Sequence, residues 1–155
     1  MKNQFNPSKG YYGIGIYHAK NIKNIGTLWR TAWIFGAAFI FTIGRRYKRQ
    51  ASDTVNAQTK IPLYSWHTFE EFKEHLPSRC FIVGIEMSEQ ARMLSNFIHP
   101  TNCVYLLGAE DNGLPKEVLA ECHNVIQLGG RYSLNVATAG SIVIYHRMML
   151  NERSA

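Results

Sequence analysis

Acidic side chains are scarce in this chain of 155 residues: 11 Asp and Glu stand against 17 Lys and Arg, a formal charge of +6. That imbalance suits a polyanionic partner. Cysteine is rarer still. Cys80, Cys103 and Cys122 form no C-x-x-C pair and have no histidine at ligand spacing. This excludes a disulfide framework and a zinc site, and it reads as small, reduced core residues of a cytoplasmic protein. The polar stretch Met1 to Gly10 lacks the apolar core of a secretory signal. The longest apolar run, Trp33 to Gly44, is interrupted at Gly36 and falls short of the roughly 20 residues that span a bilayer, so no membrane partner is expected. No phosphate-cradling G-x-x-x-x-G-K-S/T loop occurs, and Gly13-Ile14-Gly15 is not followed by the third glycine of a dinucleotide site. Cys-His and Ser-His-Asp spacings, metal-ligand clusters and paired acids within one motif are also missing. The candidates for chemistry are therefore Asn24, Arg30, Glu110, Ser133 and Asn135, together with loop backbone.

The chain is of ordinary size for one domain and, at 46% hydrophobic residues, is able to bury a substantial core. A short polar arm over residues 1–10, a single domain over 11–150 and a polar tail over 151–155 are expected. Tyr11 to His18 reads as a buried strand and Ala19 to Asn24 as a loop. From Ile25 an apolar stripe through Leu28, Trp29, Ala32 and Trp33 predicts an amphipathic helix stopped by Gly36. Ala38 to Ile43 then reads as a parallel strand of a right-handed βαβ unit. Thr68-Phe69-Glu70-Glu71 is a capping box for a helix to about His75. Strands are expected at Phe81 to Met87, Cys103 to Leu107 and Val125 to Leu128. Helices are expected at Ser88 to Phe97 and from Pro115 to Cys122. The alternation predicts an α/β fold with a mostly parallel open sheet and helices on both faces.

Three polar, glycine-bearing clusters stand next to predicted strands: Asn24 to Arg30, Leu107 to Leu114, and Gly129 to Ala137. They are expected to gather at one end of the sheet. Ser133 or Asn135 caps the last helix, whose residues Ala137, Ala139, Gly140 and Ser141 keep one surface small and open to close packing. The basic run Arg45-Arg46-Tyr47-Lys48-Arg49, leading into the polar stretch Ala51 to Lys60, lies just beyond a strand's C-terminal end, the side where open α/β sheets bind ligands. It reads either as a solvated face or as a nucleic-acid contact, since it interleaves an aromatic with cations.

Asn24-x-Gly26-x-x-x-Arg30, Gly108-x-Glu110-x-x-Gly113-Leu114 and Ser133-Leu134-Asn135-Val136 together resemble, in order and separation, the three motifs of the TrmH-type SPOUT RNA methyltransferases. The resemblance runs from about Gly13 to Met149. It implies methyl transfer from S-adenosyl-L-methionine to a ribose 2′-hydroxyl of tRNA or rRNA, without a metal, by a homodimer whose C-terminal third forms a deep trefoil knot. It further implies donor binding by Leu107, Gly108, Ala109, Glu110, Gly113, Leu128, Gly129, Ser133, Leu134 and Ala137. Catalytic roles fall to Arg30, Asn24, Glu110, Ser133 and Asn135, and RNA contacts to Arg30, Arg45, Arg46, Lys48 and Arg49. In this reading Arg30 binds substrate phosphate and stabilises the developing alkoxide, because a guanidinium stays protonated and serves poorly as a base. The competing readings are an RNA-binding protein that keeps the fold without catalysis, and a nucleotide-binding α/β protein unrelated to RNA.

Overall fold

In the computed structural model, residues 10–45 and 59–153 are described. The elements run β1 (Tyr11–Tyr17), α1 (Ile22–Ile34), β2 (Phe39–Ile43), β3 (Leu63–Trp66), α2 (Phe69–Glu74), β4 (Phe81–Ile85), β5 (Arg92–Met93), β6 (Asn102–Leu107), α3 (Lys116–Glu121), β7 (Asn124–Gln127) and α4 (Val136–Arg153). They form a seven-stranded sheet of order β3-β2-β1-β6-β4-β7-β5, and every strand pair is parallel. One face carries α1 and α4, packed through Ile25, Leu28, Trp29, Val136, Val143 and Ile144. The other carries α2 and α3, packed through Phe69, Phe72 and Val118.

Alternation along β1 explains the glycine pair that resembled a nucleotide motif. Ile14 and Ile16 point to the α1/α4 face. On the opposite face Gly13 and Gly15 leave room for the rings of Phe39 and Phe41, which a Cβ at either position would meet at 2.4 Å. The pair serves packing. On the other layer α4 lies close over the sheet at Gly140, where a Cβ would come within 2.5 Å of Leu28 and 3.2 Å of Leu107. The small-residue surface of α4 is thus used within the chain, against α1 and β6.

Several boundaries differ from the expectations. The first helix begins at Ile22, within the expected loop, because Asn21 caps it by accepting from the Lys23 N–H at 3.0 Å. Ser88 to Phe97 is not a helix. It supplies the two-residue strand β5 and a single 3₁₀ turn over Leu94–Asn96. Leu94 and Phe97 are buried at a spacing that mimics a helical stripe, but Arg92 and Met93 pair with Ile126 and Gln127 of β7 instead. The short strand β3 goes unforeseen, being an edge strand with exposed Tyr64 and Ser65 and little apolar signal. Helix α4 continues through Asn151, Glu152 and Arg153, which read as tail.

β7 sits between β4 and β5, two strands already joined by residues 86–91. The chain enters β7 from α3 on one face and leaves it toward α4 on the other, so it passes through the loop that β4, β5 and their connection close. This is the threading of the expected knot, which general connection rules disfavour.

At the sheet end where β6 begins, Arg147 of α4 is 4% exposed. Its guanidinium donates to Pro100 O at 2.7 Å, Thr101 O at 2.8 Å and the Tyr105 hydroxyl at 3.3 Å, and lies over the Tyr12 ring. Because Arg147 only donates, the Tyr105 hydroxyl is left to donate its proton to His99 Nδ1, 2.6 Å away, and His99 Nε2 donates to His146 Nδ1 at 2.8 Å. Burial, then the charges of Arg147 and His146, push the His99 imidazole down to about 3. His99 is therefore neutral in the folded chain, while in the unfolded chain it binds a proton below its ordinary value. Folding stability should fall as pH drops below about 6.5, by about 1 kcal/mol at pH 5 after allowing for partial exposure. Denaturant titrations across that range check it; a flat profile between pH 7 and 5 would contradict the assignment.

Candidate active site

The C-terminal ends of β4, β6 and β7 open into a cavity of about 280 Å³. Its walls are the loop from Leu107 to Gly113, Gln127 and Leu128, and Tyr132 to Leu134, with Ile85, Glu86, Met87, Val136 and Ala139. Of the residues assigned to donor binding, Leu107, Gly108, Ala109, Glu110, Gly113, Leu128, Ser133 and Leu134 line it. Gly129 lies beside it against Met93, and Ala137 is buried in the α4 packing, both outside the lining.

The turn over Gly108 to Gly113 is closed by the Gly113 N–H donating to Ala109 O at 2.9 Å. Gly113 has φ of 60°. At Gly108 a Cβ would meet the carbonyl carbon of Gly113 at 2.1 Å and the nitrogen of Leu114 at 2.4 Å. Glycine is required at 108 by the turn itself, so bulk there damages the loop whether or not a ligand touches it. Glu86, which the sequence reading did not single out, anchors the same turn. Its carboxylate accepts from Leu114 N at 2.7 Å and Met87 N at 3.1 Å. The sequence reading places it inside the strand expected at Phe81 to Met87, whereas the strand ends at Ile85.

One hydrogen-bonded chain joins all three clusters. The Asn135 carbonyl accepts from Thr138 N at 3.2 Å, which makes Asn135 the cap of α4. Its amide is then left to donate to Asn24 Oδ1 at 2.9 Å, and the Asn24 amide donates to Glu110 Oε1 at 3.2 Å. A helix N–H at one end and a carboxylate at the other fix the orientation of both amides. Glu110 also accepts from the backbone of Lys20 at 3.1 Å and Asn21 at 3.2 Å. Burial would push this carboxyl up, but its own backbone N–H, then the Asn24 amide and the N–H groups of Lys20 and Asn21, outweigh it and hold it below the usual range. Lys20 pairs with Asp111, which lowers the Asp111 carboxyl in the same way.

The remaining candidates are placed differently. Ser133 is exposed on the cavity wall and does not cap α4. Arg30 lies on the exposed side of α1, outside the cavity lining, about 9 Å further along the helix axis than Asn24 at 1.5 Å per residue. Arg45 donates to Ala19 O at 2.9 Å and Lys20 O at 3.0 Å, bracing the loop after β1. Arg46, Lys48 and Arg49 lie outside the described residues.

A cavity built from loop backbone, with the apolar walls Ile85, Leu107, Leu128 and Val136, suits an adenosine: backbone groups read its edges and aliphatic side chains cover its faces. Glu86 and Glu110, with Asp111 already paired to Lys20, leave negative charge on the lining, which favours a cationic ligand. No group of three or more His, Cys, Asp or Glu able to hold a metal occurs among the described residues. Arg147 belongs to the opposite end of the sheet and takes no part.

The sequence pattern of the family described as SpoU rRNA Methylase matches residues 13–145. The chain is 27% identical over 134 residues to the tRNA (guanosine(18)-2'-O)-methyltransferase TARBP1 of Mus musculus, an alignment of 79% of this chain and 8% of that protein. It superposes on the SpoU methyltransferase AviRb of Streptomyces viridochromogenes with TM-score 0.82 at 19% identity, covering 93% of this chain and 61% of the other. It also superposes on an AdoMet-bound rRNA methyltransferase of Sinorhizobium meliloti, with TM-score 0.80 at 22% identity over 94% and 59% of the two chains. This chain thus spans about three fifths of those structures and a small fraction of the mouse protein.

Proposed function

The chain belongs to the SpoU rRNA methylase family, and from that premise we propose that it methylates a ribose 2′-hydroxyl of RNA with S-adenosylmethionine as donor. The observation that carries this is the Glu110–Asn24–Asn135 chain, which ties the first turn of α1 and the start of α4 to the loop after β6, and that loop lines the cavity. Its homologue in Sinorhizobium meliloti is described as AdoMet-bound, which supports the same ligand here.

When bound, the donor supplies an electrophilic methyl group on a sulfonium, so the protein needs neither a metal nor a covalent intermediate. Leu107, Leu128 and Val136 would hold the adenosine between them, and backbone groups of Gly108 to Gly113, Leu128, Tyr132 and Ser133 would read its polar edges. Glu86 and Glu110 hold their own loops in place and would favour the donor's positive charge. Arg30 grips the substrate phosphate and stabilises charge that develops on the ribose oxygen as its proton leaves to water. Asn24 and Asn135 act by positioning: they fix the start of α1 and of α4, and through α1 the place of Arg30. With Arg45 bracing the loop after β1, the phosphate contacts fall mainly to Arg46, Lys48 and Arg49.

The working unit is a homodimer in the cytoplasm, with residues 11–150 as one domain. Over Ile142 to Tyr145, helix α4 is apolar on both sides. Val143 and Ile144 are buried within the chain, while Ile142 and Tyr145 on the outer side are 40% and 52% exposed. A helix apolar all round is ordinarily buried all round. Ile34 of α1 is also exposed, and Phe35 meets Tyr145 at 6.0 Å, so the two helices offer one continuous apolar face. A second copy covering it fits the closed symmetry usual for such contacts. Sedimentation at micromolar concentration should give a dimer, and Ile142→Asp with Tyr145→Asp should give a folded monomer. A monomeric wild type would remove the dimer from this account. Three cysteines left unpaired fit a reducing compartment, and no helix among the described residues is long and apolar enough to cross a membrane.

The test of the function is methyl transfer from labelled donor to tRNA and rRNA purified from cells lacking the protein, with donor binding measured by calorimetry. Label on a ribose 2′-oxygen of either RNA supports the reading and identifies the substrate. Donor binding without transfer to either RNA would favour a binding protein that keeps the fold without catalysis.

A further inference from the structure

We propose that Tyr132 is the stacking platform for an unpaired base of the RNA, presented at the mouth of the donor cavity. This rests on the RNA reading above. Tyr132 lines the cavity yet is 85% exposed, so its ring stands at the rim and does not form the inner wall. It is not alone there. Leu134 and Met87, both in the cavity lining, are 45% and 43% exposed. Met93 is 40% exposed, with its methyl 3.1 Å from where a Gly129 Cβ would stand. A tyrosine, two methionines and a leucine thus form an apolar collar around an opening whose interior is polar and acidic.

That collar has a chemical counterpart. A ribose hydroxyl cannot reach a methyl group inside the cavity while its base stays within a helical stack, and the unstacked base loses contacts on both faces. Base–aromatic stacking returns about 1–3 kcal/mol per base and tolerates any base, since every base has a π-face. Thioethers beside the ring adapt to either a purine or a pyrimidine. The charges agree with the placement. Glu86, half-buried in the lining, and Glu110, exposed at its edge, repel phosphate, while Asp111 is paired with Lys20. Arg131, adjoining Tyr132, and Arg92, adjoining Met93, are both exposed and offer cations at the collar. The phosphodiester is held outside the acidic interior, with the base on the tyrosine.

The experiment compares Tyr132→Ala, Tyr132→Phe and Tyr132→Leu in the full chain, with purified bulk tRNA and rRNA as probes. RNA affinity is read by filter binding, donor affinity by calorimetry and stability by thermal melting. Alanine should weaken RNA binding by about five- to a hundredfold, the range that the loss of one stacked base implies. Phenylalanine should restore it, leucine should not, and donor affinity and melting temperature should stay within error. Unchanged RNA binding in the alanine variant overturns the inference, as does a leucine variant equal to phenylalanine. Loss of donor affinity instead would move the ring to the donor's adenine. Because RNA binding is scored separately from methyl transfer, a protein that transfers nothing but still loses RNA on Tyr132→Ala would sink the enzymatic reading and leave this one standing.

Discussion

Arg30→Ala is expected to slow single-turnover methyl transfer by about 10²-fold or more, the order seen when one preorganised electrostatic partner is removed, while donor affinity and melting temperature stay near wild type. The structure separates these quantities. Leu28 and Trp29 beside it are fully buried and carry the packing of α1, whereas Arg30 is exposed. Thr27 and Thr31 satisfy their hydroxyls on the helix backbone, at Lys23 O and Thr27 O. Arg30 is also outside the cavity proposed for the donor, so its loss should not loosen the donor. Lysine keeps the charge but not the planar fork, and Arg30→Lys should recover little if one side chain must address both a phosphate and the ribose oxygen. Normal turnover in Arg30→Ala would take the residue out of the mechanism. A large fall in melting temperature would return it to the fold.

The largest effect on stability is expected at Arg147. Arg147→Ala strips donors from Pro100 O, Thr101 O and the Tyr105 hydroxyl and leaves a gap under the Tyr12 ring. Buried acceptors without partners and a lost long side chain together cost about 3–5 kcal/mol. For a domain of this size that lowers the melting temperature by roughly 10 °C. Donor affinity of the folded fraction should not change, because the cluster sits at the sheet end away from the cavity. A shift of less than about 2 °C would show that water replaces the guanidinium at little cost.

The two predictions also mark what was legible in the sequence. Arg30 stood in a spaced motif, and two of the three glycine clusters announced the loops after β6 and β7, while the first lies within α1. Arg147 had no such signal: its partners lie more than 40 positions away, at Pro100, Thr101 and Tyr105. The individual readings of Asn24, Glu110 and Asn135 were harder. Each passes for a turn or cap residue, and only the meeting of α1, the loop after β6 and the start of α4 shows that they bond to one another. Local pattern misled at Ser88 to Phe97, where pairing with β7 overrode a helical spacing. It was silent at β3, an edge strand with half its residues in water. Gly108 was assigned to donor binding by its motif, whereas the contact that requires a glycine there is the turn's own backbone.

The threading of β7 through the loop closed by β4, β5 and residues 86–91 has a mechanical consequence. In an unknotted protein, tension on the two ends extends the chain toward its full contour, about 3.3–3.6 Å per residue. Here the same tension draws the entanglement tight around its own strand, so the stretched molecule falls short of that length. A machine that unravels the chain by hauling on α4 meets a lump instead of a free thread. In denaturant, where nothing pulls, residues after β7 need only slide back through the loop, but they must do so along their whole length. Chains diluted into refolding buffer before that has happened keep their path and refold quickly, whereas those that have slipped free must find the opening again.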